Sequence, residues 1–302
     1  DAANFPTDRY ILKGIAEQFG LKLIIIDNED PAIAENELIT AELLEKYMSE
    51  DVAMVTFEVI QYRSGARTDI QSVTDLARSY GALVVWDASH AAGAIEMNFD
   101  ACGVDLAVGC TYKYGNSGPG SPAWLYVNKK IQRELQVPIL GWFGNEDQFG
   151  MGPDFVKAEG IRGFQIASPS IIGIRAMEAS YSMIEEAGMK AISQKAALGT
   201  ELILALYDAW LAPLGFSLLT PRDHNKRGGH ITVGHEEAKR ISVALRRFAA
   251  VVPDYRTPNS IRLAIAPLPT SYAEVWDGFD RIRKLVENRE YLKIEDNGSR
   301  VT

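Results

Sequence analysis

Ala82-Leu83-Val84-Val85-Trp86-Asp87-Ala88-Ser89-His90 and, one short crossover later, Val104-Asp105-Leu106-Ala107-Val108-Gly109-Cys110-Thr111-Tyr112-Lys113 decide how this chain folds. Each begins as a short, nearly uncharged run of aliphatic residues, the pattern of a strand buried on both faces, and each ends abruptly in polar side chains. Leu21–Ile26 and Val52–Phe57 upstream read as strands of the same kind, and Pro122–Asn128 adds another after a Gly-rich connection. Between them Thr40–Glu50, Ile70–Tyr80 and the Ala94–Cys102 region carry helical or short-helical patterns. Strand, crossover, strand with short connections predicts an α/β fold, a mostly parallel sheet with helices on both faces.

From about Pro169 the pattern changes to two long helices without a strand between them, Ile171–Ala187 and Lys190–Trp210. A smaller α+β unit follows, with strands at His230–Val233 and Ile261–Ile265, a helix at Glu236–Phe248 and a last helix from Tyr272. Ser271 and Glu274 form a capping box there, and Tyr272, Val275, Trp276, Phe279, Ile282 and Val286 make a core-facing stripe. The expected division is a large domain over 1–168 and linking helices plus a small C-terminal domain over 169–302, with a polar, mobile tail after Ile294.

The 302 residues are 47% hydrophobic and 24% charged, which excludes disordered and fibrous classes. The formal net charge of −9 argues against a sequence-independent grip on nucleic acid or anionic lipid, so the expected partner is a small molecule. The apolar runs fall short of the roughly 18 to 20 residues of a membrane span and no signal peptide opens the chain, so a cytoplasmic location is expected. Cys102 and Cys110 have neither disulfide nor metal-ligand spacing and read as small buried thiols. The chain opens at Asp1 without Met and is in functional sequence within ten residues, so an N-terminal portion is expected to be missing.

In an open parallel sheet ligands sit outside the carboxyl ends of the strands, where Asp87 with His90, and Lys113, are delivered. Singly, Asp87 reads as a cap or turn residue and Lys113 as a solvated amine. Together, an Asp and a Lys 26 residues apart, each at a strand end, are what a pyridoxal phosphate site needs. The carboxylate keeps the pyridine nitrogen protonated, and the amine holds the aldehyde as a Schiff base and later moves protons.

Asp87 to His90, Thr111 to Gly120, Leu140-Gly141-Trp142-Phe143-Gly144, Gly163-Phe164-Gln165-Ile166, and Asn259-Ser260-Ile261-Arg262-Leu263 with Ala266-Pro267-Leu268-Pro269 resemble the kynureninase family from about Phe5 to Val286. Those enzymes are fold-type I pyridoxal phosphate hydrolases, with an aspartate aminotransferase-like large domain. The resemblance implies that Lys113 forms the Schiff base and Asp87 partners the pyridine nitrogen. It makes Phe5-Pro6-Thr7-Asp8 the ring-binding segment, Phe5 stacking on the cofactor and Asp8 near its polar edge, Thr7 included; the plain alternative for Phe5 is a core contact. His90 becomes a cofactor contact rather than a structural imidazole. Tyr112 binds the phosphate and is placed to relay a proton, and Trp142 reaches the phosphate from a neighbouring subunit, implying a homodimer with shared sites. Arg262 binds the substrate α-carboxylate, the alternative being a rim salt bridge.

Two positions depart from the family. Ser168, carried over as a cofactor-side contact, stands where an asparagine is common near the substrate's aromatic ketone. Glu58 stands where a serine or threonine supports the phosphate, so it is expected to turn away or to mark a rearranged pocket. A Leu-Thr phosphate turn and a substrate-contacting histidine belong to sequence preceding Asp1. The implied reaction is hydrolytic Cβ–Cγ cleavage of L-kynurenine or its 3-hydroxy form, giving anthranilate or 3-hydroxyanthranilate and L-alanine, in tryptophan catabolism. The alternatives are a related enzyme with another amino acid substrate, or an inert fragment. Cysteine desulfurase chemistry fits less well, because it needs a mobile, exposed thiol.

Overall fold

The computed structural model describes residues 1–27 and 37–295. Its first sheet holds β1 (Met54–Glu58), β2 (Leu83–Asp87), β3 (Leu106–Cys110) and β4 (Ala123–Val127) in that spatial order. The first three strands run parallel and β4 returns antiparallel beside β3. The mostly parallel sheet is therefore as expected, with its antiparallel member supplied by the Gly-rich connection Gly115–Gly120. Register places Glu58 directly opposite Asp87, so β1 and β2 deliver two carboxylates side by side at their carboxyl ends.

Helix α1 (Pro6–Phe19) starts on a proline, which costs nothing where the backbone N–H has no helical acceptor, and stops at Gly20 with φ +65°. Next come the short α2 (Ala41–Glu45), capped by Thr40, and α3 (Ile70–Ser79). Asp69 caps α3 by accepting from the backbone N–H groups of Gln71 and Ser72. Ile70, Val73, Thr74 and Ala77 then face the sheet, where fully buried Trp86 donates its indole N–H to Thr74 Oγ1 at 3.1 Å. That bond satisfies the one polar atom of the largest side chain in this core.

Two expected elements are absent. Leu21–Ile26 is extended but pairs with no strand among the described residues; Leu21, Ile24 and Ile25 are exposed and only Ile26 is buried. Aliphatic composition alone does not make a strand; a neighbouring edge must offer its hydrogen bonds. The Ala94–Cys102 region forms turns rather than a regular helix: Asn98 starts a single helical turn, its side chain accepting the Ala101 N–H and its carbonyl the Cys102 N–H, and the turn stops at Gly103, at φ +63°. The polar tail lies, from residue 296, outside the described residues.

Helices α4 (Ile171–Ala187) and α5 (Met189–Leu206) are joined by the single residue Gly188 at φ +77°. They lead to a second sheet of β5 (Ser217–Leu218), β6 (His230–Gly234), β7 (Asp254–Arg256) and β8 (Ser260–Ala264), antiparallel throughout in the order β5-β6-β8-β7. Helices α6 (Ala238–Phe248) and α7 (Tyr272–Glu287) complete a core of its own, and Ser271 and Glu274 do form the capping box. In the α7 stripe Val275, Phe279, Ile282 and Val286 are buried, whereas Tyr272 and Trp276 stay largely exposed. Trp276 packs instead edge-to-face on Trp210 at 4.7 Å.

The loop after β1 joins the two sheets. Arg67 N–H donates to Lys226 O and Gly228 N–H to Gly65 O, both at 2.9 Å, and the hydroxyls of Thr220 and Thr232 donate to Ser64 O and Arg63 O. Gly65, at φ +76°, lies so close that a Cβ would stand 2.7 Å from His230 O, a space only glycine fits. Nearby, buried Arg227 donates to Glu201 and to Thr200 Oγ1. This junction holds β8 of the small sheet opposite the strand ends of the large one.

Candidate active site

A cavity of about 470 Å³ opens where the two sheets face each other, lined by Phe5, Tyr62, His90, Tyr112, Lys113, Arg256 and Arg262 among others. The strand ends supply its floor. Lys113 leaves β3 through Thr111, whose buried hydroxyl donates to Pro122 O, and its Nζ stands 6.0 Å from the Phe5 ring centroid and 5.8 Å from that of Tyr112. Lys113 makes no ion pair or hydrogen bond among the described residues, so its amine is free to react. The loop comes this close to the His90 turn because Gly93, at φ +83°, has no Cβ; one would lie 2.5 Å from Tyr114 O.

Asp8, Glu58 and Asp87 converge beside the amine, their carboxylate oxygens within 4.8 Å of one another. Asp87 Oδ1 accepts the Ser89 N–H at 2.7 Å, fixing its rotamer. Burial, and then the Asp87 charge, push the Asp8 carboxyl up to about 6, with Lys113 opposing. Asp8 Oδ2 is buried without a hydrogen-bond partner. Glu58 is 1% exposed; burial and the Asp87 charge push it up to about 8 against the two backbone N–H groups it accepts. Glu58 was expected to turn away from a phosphate or to mark a rearranged pocket, and its carboxyl is turned into the protein beside Asp87. It lies at the Asp87 end, because adjacent parallel strands place residues of one register side by side.

The opposite wall is cationic. Arg262 on β8 donates through Nη1 to Tyr62 O at 2.6 Å, contacts His90 Nε2 at 3.1 Å, and ion-pairs through Nη2 with Asp254. An arginine can only donate, so His90 Nε2 is the acceptor and the imidazole proton sits on Nδ1. Burial, with Lys113 next, holds His90 well below its ordinary value and keeps it neutral. His230 packs edge-to-face on it at 5.7 Å and is held neutral by burial likewise. Arg256 shares Asp254 at 2.7 Å and lies over the Tyr62 ring at 5.7 Å, with its Nε buried and unpartnered. On this wall two guanidiniums face one Asp254 carboxylate, which favours an anionic ligand.

Of the residues expected in the site, Phe5, His90, Tyr112, Lys113 and Arg262 line the cavity, and Asp8 and Asp87 sit beside Lys113. Thr7, Trp142 and Ser168 do not line it. Thr7 is exposed on the first turn of α1. Trp142 packs with Phe143 and Phe149 on an arm whose 141–144 and 163–166 segments press together, a Cβ on Gly141 reaching 1.9 Å from Ile166 O. Ser168 is exposed at the end of that arm, so within one chain these side chains are held away from Lys113. Tyr62, Arg256 and Asp254 escaped the sequence reading. Asp254 and Arg262 are direct cross-strand partners, a pairing visible only once the β7–β8 hairpin register is known. Cys102 and Cys110 are free and half-buried rather than buried.

These residues suit pyridoxal phosphate by their donor set: a free amine, an aromatic face beside it, and a carboxylate pair with one buried oxygen unsatisfied. Comparison with known proteins points the same way. Residues 192–282 match the family model described as kynureninase C-terminal domain. The chain is 38% identical over 302 residues to the kynureninase of Geobacillus thermodenitrificans, covering 98% of this chain and 69% of that protein. It is 32% identical over 297 residues to the kynureninase of Pseudomonas fluorescens, covering 98% and 68%. Among solved structures, cysteine desulfurase from Thermococcus onnurineus NA1 superposes with a TM-score of 0.74 at 19% identity, over 93% of this chain and 70% of that one. The cystine C-S lyase C-DES in complex with cysteine persulfide does so at 0.74 and 16%, over 95% and 72%. The solved structures share the fold; the sequence relatives share nearly the whole chain at above 30% identity, and on that ground this chain belongs to the kynureninase family.

Proposed function

We propose that this chain is a pyridoxal phosphate-dependent hydrolase that cleaves the Cβ–Cγ bond of L-kynurenine or 3-hydroxykynurenine, adding water to give the aromatic acid and L-alanine. One observation carries the reading: the unpaired Lys113 amine over the Phe5 ring, with Asp87 and Asp8 behind it and Arg262 across the cavity. The cofactor, when bound, supplies an electron sink for charge developing at the substrate's Cα and Cβ. Lys113 holds it and moves the proton at Cα. Phe5 offers its face to the ring, and Asp87 accepts the hydrogen bond of the ring nitrogen.

Arg262 orients the substrate through its α-carboxylate. Of its five N–H groups, three are committed to Tyr62 O, His90 and Asp254, so two remain for the ligand. Tyr112 is the proton donor at Cβ. Burial keeps its phenol above the ordinary value, so it carries its proton at neutral pH. Supplied with pyridoxal phosphate, the protein should release anthranilate and alanine in equal amounts from L-kynurenine. Cofactor uptake without release would move the substrate to another amino acid, and a panel including 3-hydroxykynurenine ranks the candidates.

The same reading makes the working unit a homodimer, with Trp142 serving the site of a second copy. Trp142 is 41% exposed and off its own cavity wall, beside the exposed Leu140 and Phe149. Light scattering should give twice the chain mass; a monomer that retains full activity would overturn this.

A further inference from the structure

Behind the cavity wall lies Glu58, 1% exposed, with both carboxyl oxygens occupied. Oε1 accepts the Phe5 N–H at 2.7 Å and Oε2 the Tyr62 N–H at 2.8 Å. Phe5 is the N-cap of α1, yet no side chain caps that helix locally. Glu58 therefore reaches across 53 residues of sequence to tie the entry of α1 to the end of β1. Tyr62 lies in the turn after β1, and its ring meets the Phe5 ring edge-to-face at 5.3 Å. One carboxyl group thus sets the backbone of both aromatic residues at the mouth. A serine or threonine has a single oxygen and cannot bridge the two.

We propose that Glu58 is a positioning residue of the cofactor site, clamping Phe5 and Tyr62 together, and that it is the proton-bearing member of the Asp8–Glu58–Asp87 group. This rests on the pyridoxal phosphate reading above. The groups facing Glu58 are Asp87 from β2 and Asp8 from α1. Lys113 acts on Asp8 from the far side. Three ionised carboxylates within 4.8 Å would repel one another, most strongly at Glu58, the buried one. Of the three, Glu58 is the most deeply buried, so it is the one that stays neutral. The signs follow. A carboxyl raised in the folded state from 4.5 to about 8 contributes stability that is fully present below 4.5 and lost as pH rises through about 8.

Two variants test this. Glu58→Gln keeps the shape and one acceptor but cannot ionise; Glu58→Ser removes both bridging acceptors. In infrared difference spectra of the cofactor-free protein, the wild type should show a protonated-carboxyl C=O band that disappears as pH rises through about 8, and both variants should lack it. Relative to Glu58→Gln, the wild type should lose thermal stability over the same rise. Amide hydrogen exchange at Phe5 and Tyr62 should accelerate about tenfold or more in Glu58→Ser, the factor that a lost hydrogen bond to a charged or buried acceptor produces. Loss of pyridoxal phosphate from the holoenzyme, followed by its visible band, should accelerate in the same order. A carboxyl band lost near pH 8 that persists in Glu58→Gln, or exchange unchanged in Glu58→Ser, overturns the proposal. If the wild type takes up no cofactor, the catalytic reading fails instead, and the infrared and exchange measurements still decide the role of Glu58.

Discussion

Lys113→Ala is expected to abolish turnover of L-kynurenine, by more than the roughly 10⁴-fold at the upper end of what a single general acid–base group contributes. The loss exceeds that range because the same amine would both hold the cofactor and move the substrate's proton. The fold should survive the change. Lys113 has no ion pair or hydrogen bond among the described residues, only aromatic neighbours at 5.8 and 6.0 Å, so truncation leaves no buried partner unsatisfied. Steady-state assays should find no anthranilate, circular dichroism should match the wild type, and small primary amines added to the variant should restore a trace of turnover. Undiminished activity would remove Lys113 from the mechanism and the proposed chemistry with it.

Arg262→Ala should lower kcat/KM by about 10² to 10³, the range expected when one partner of a hydrogen-bonded buried charge pair is truncated. Most of the effect should appear in KM, because Arg262 acts on the carboxylate, remote from the bond that breaks. Its position is held by Tyr62 O, His90 and Asp254, so the residue arrives pre-organised. Arg262→Lys keeps the charge but not the planar fork and should recover only part of the loss. Arg256, which shares Asp254, remains in both variants and sustains the positive wall. The cofactor's visible band should be unaffected. A variant that loses the cofactor rather than substrate affinity would make Arg262 a structural residue of the β7–β8 hairpin.

Much of this architecture is legible in the chain. The aliphatic runs ending in Asp87 and in Cys110 carry their own strand signal in their apolar side chains, although only alternate positions of β2 and β3 are buried. Asp69 and the Ser271–Glu274 pair announce helix starts because the exposed N–H groups need local acceptors. Leu21–Ile26 misleads for the complementary reason: its composition suits a strand, but strand formation depends on an edge to pair with. Ala94–Cys102 misleads because the turn that Asn98 caps is cut short at Gly103, at φ +63°.

What the sequence by itself determined is the set of groups that end strands, and with them Asp87, His90 and Lys113, because strand ends and local caps depend on residues near in sequence. The resemblance to a family added Phe5, Asp8, Tyr112 and Arg262 to that set. Tertiary structure alone decided which of these meet. It turned Glu58 from a suspected phosphate neighbour into the clamp of Phe5 and Tyr62, brought Arg256 and Asp254 to the wall beside Arg262, and held Trp142 and Ser168 away from the cavity. The contacts that assemble the site span up to 200 residues of sequence, 53 between Glu58 and Phe5 and 200 between Arg262 and Tyr62. They follow from sheet register and from the docking of two cores, and no local pattern of side chains encodes either.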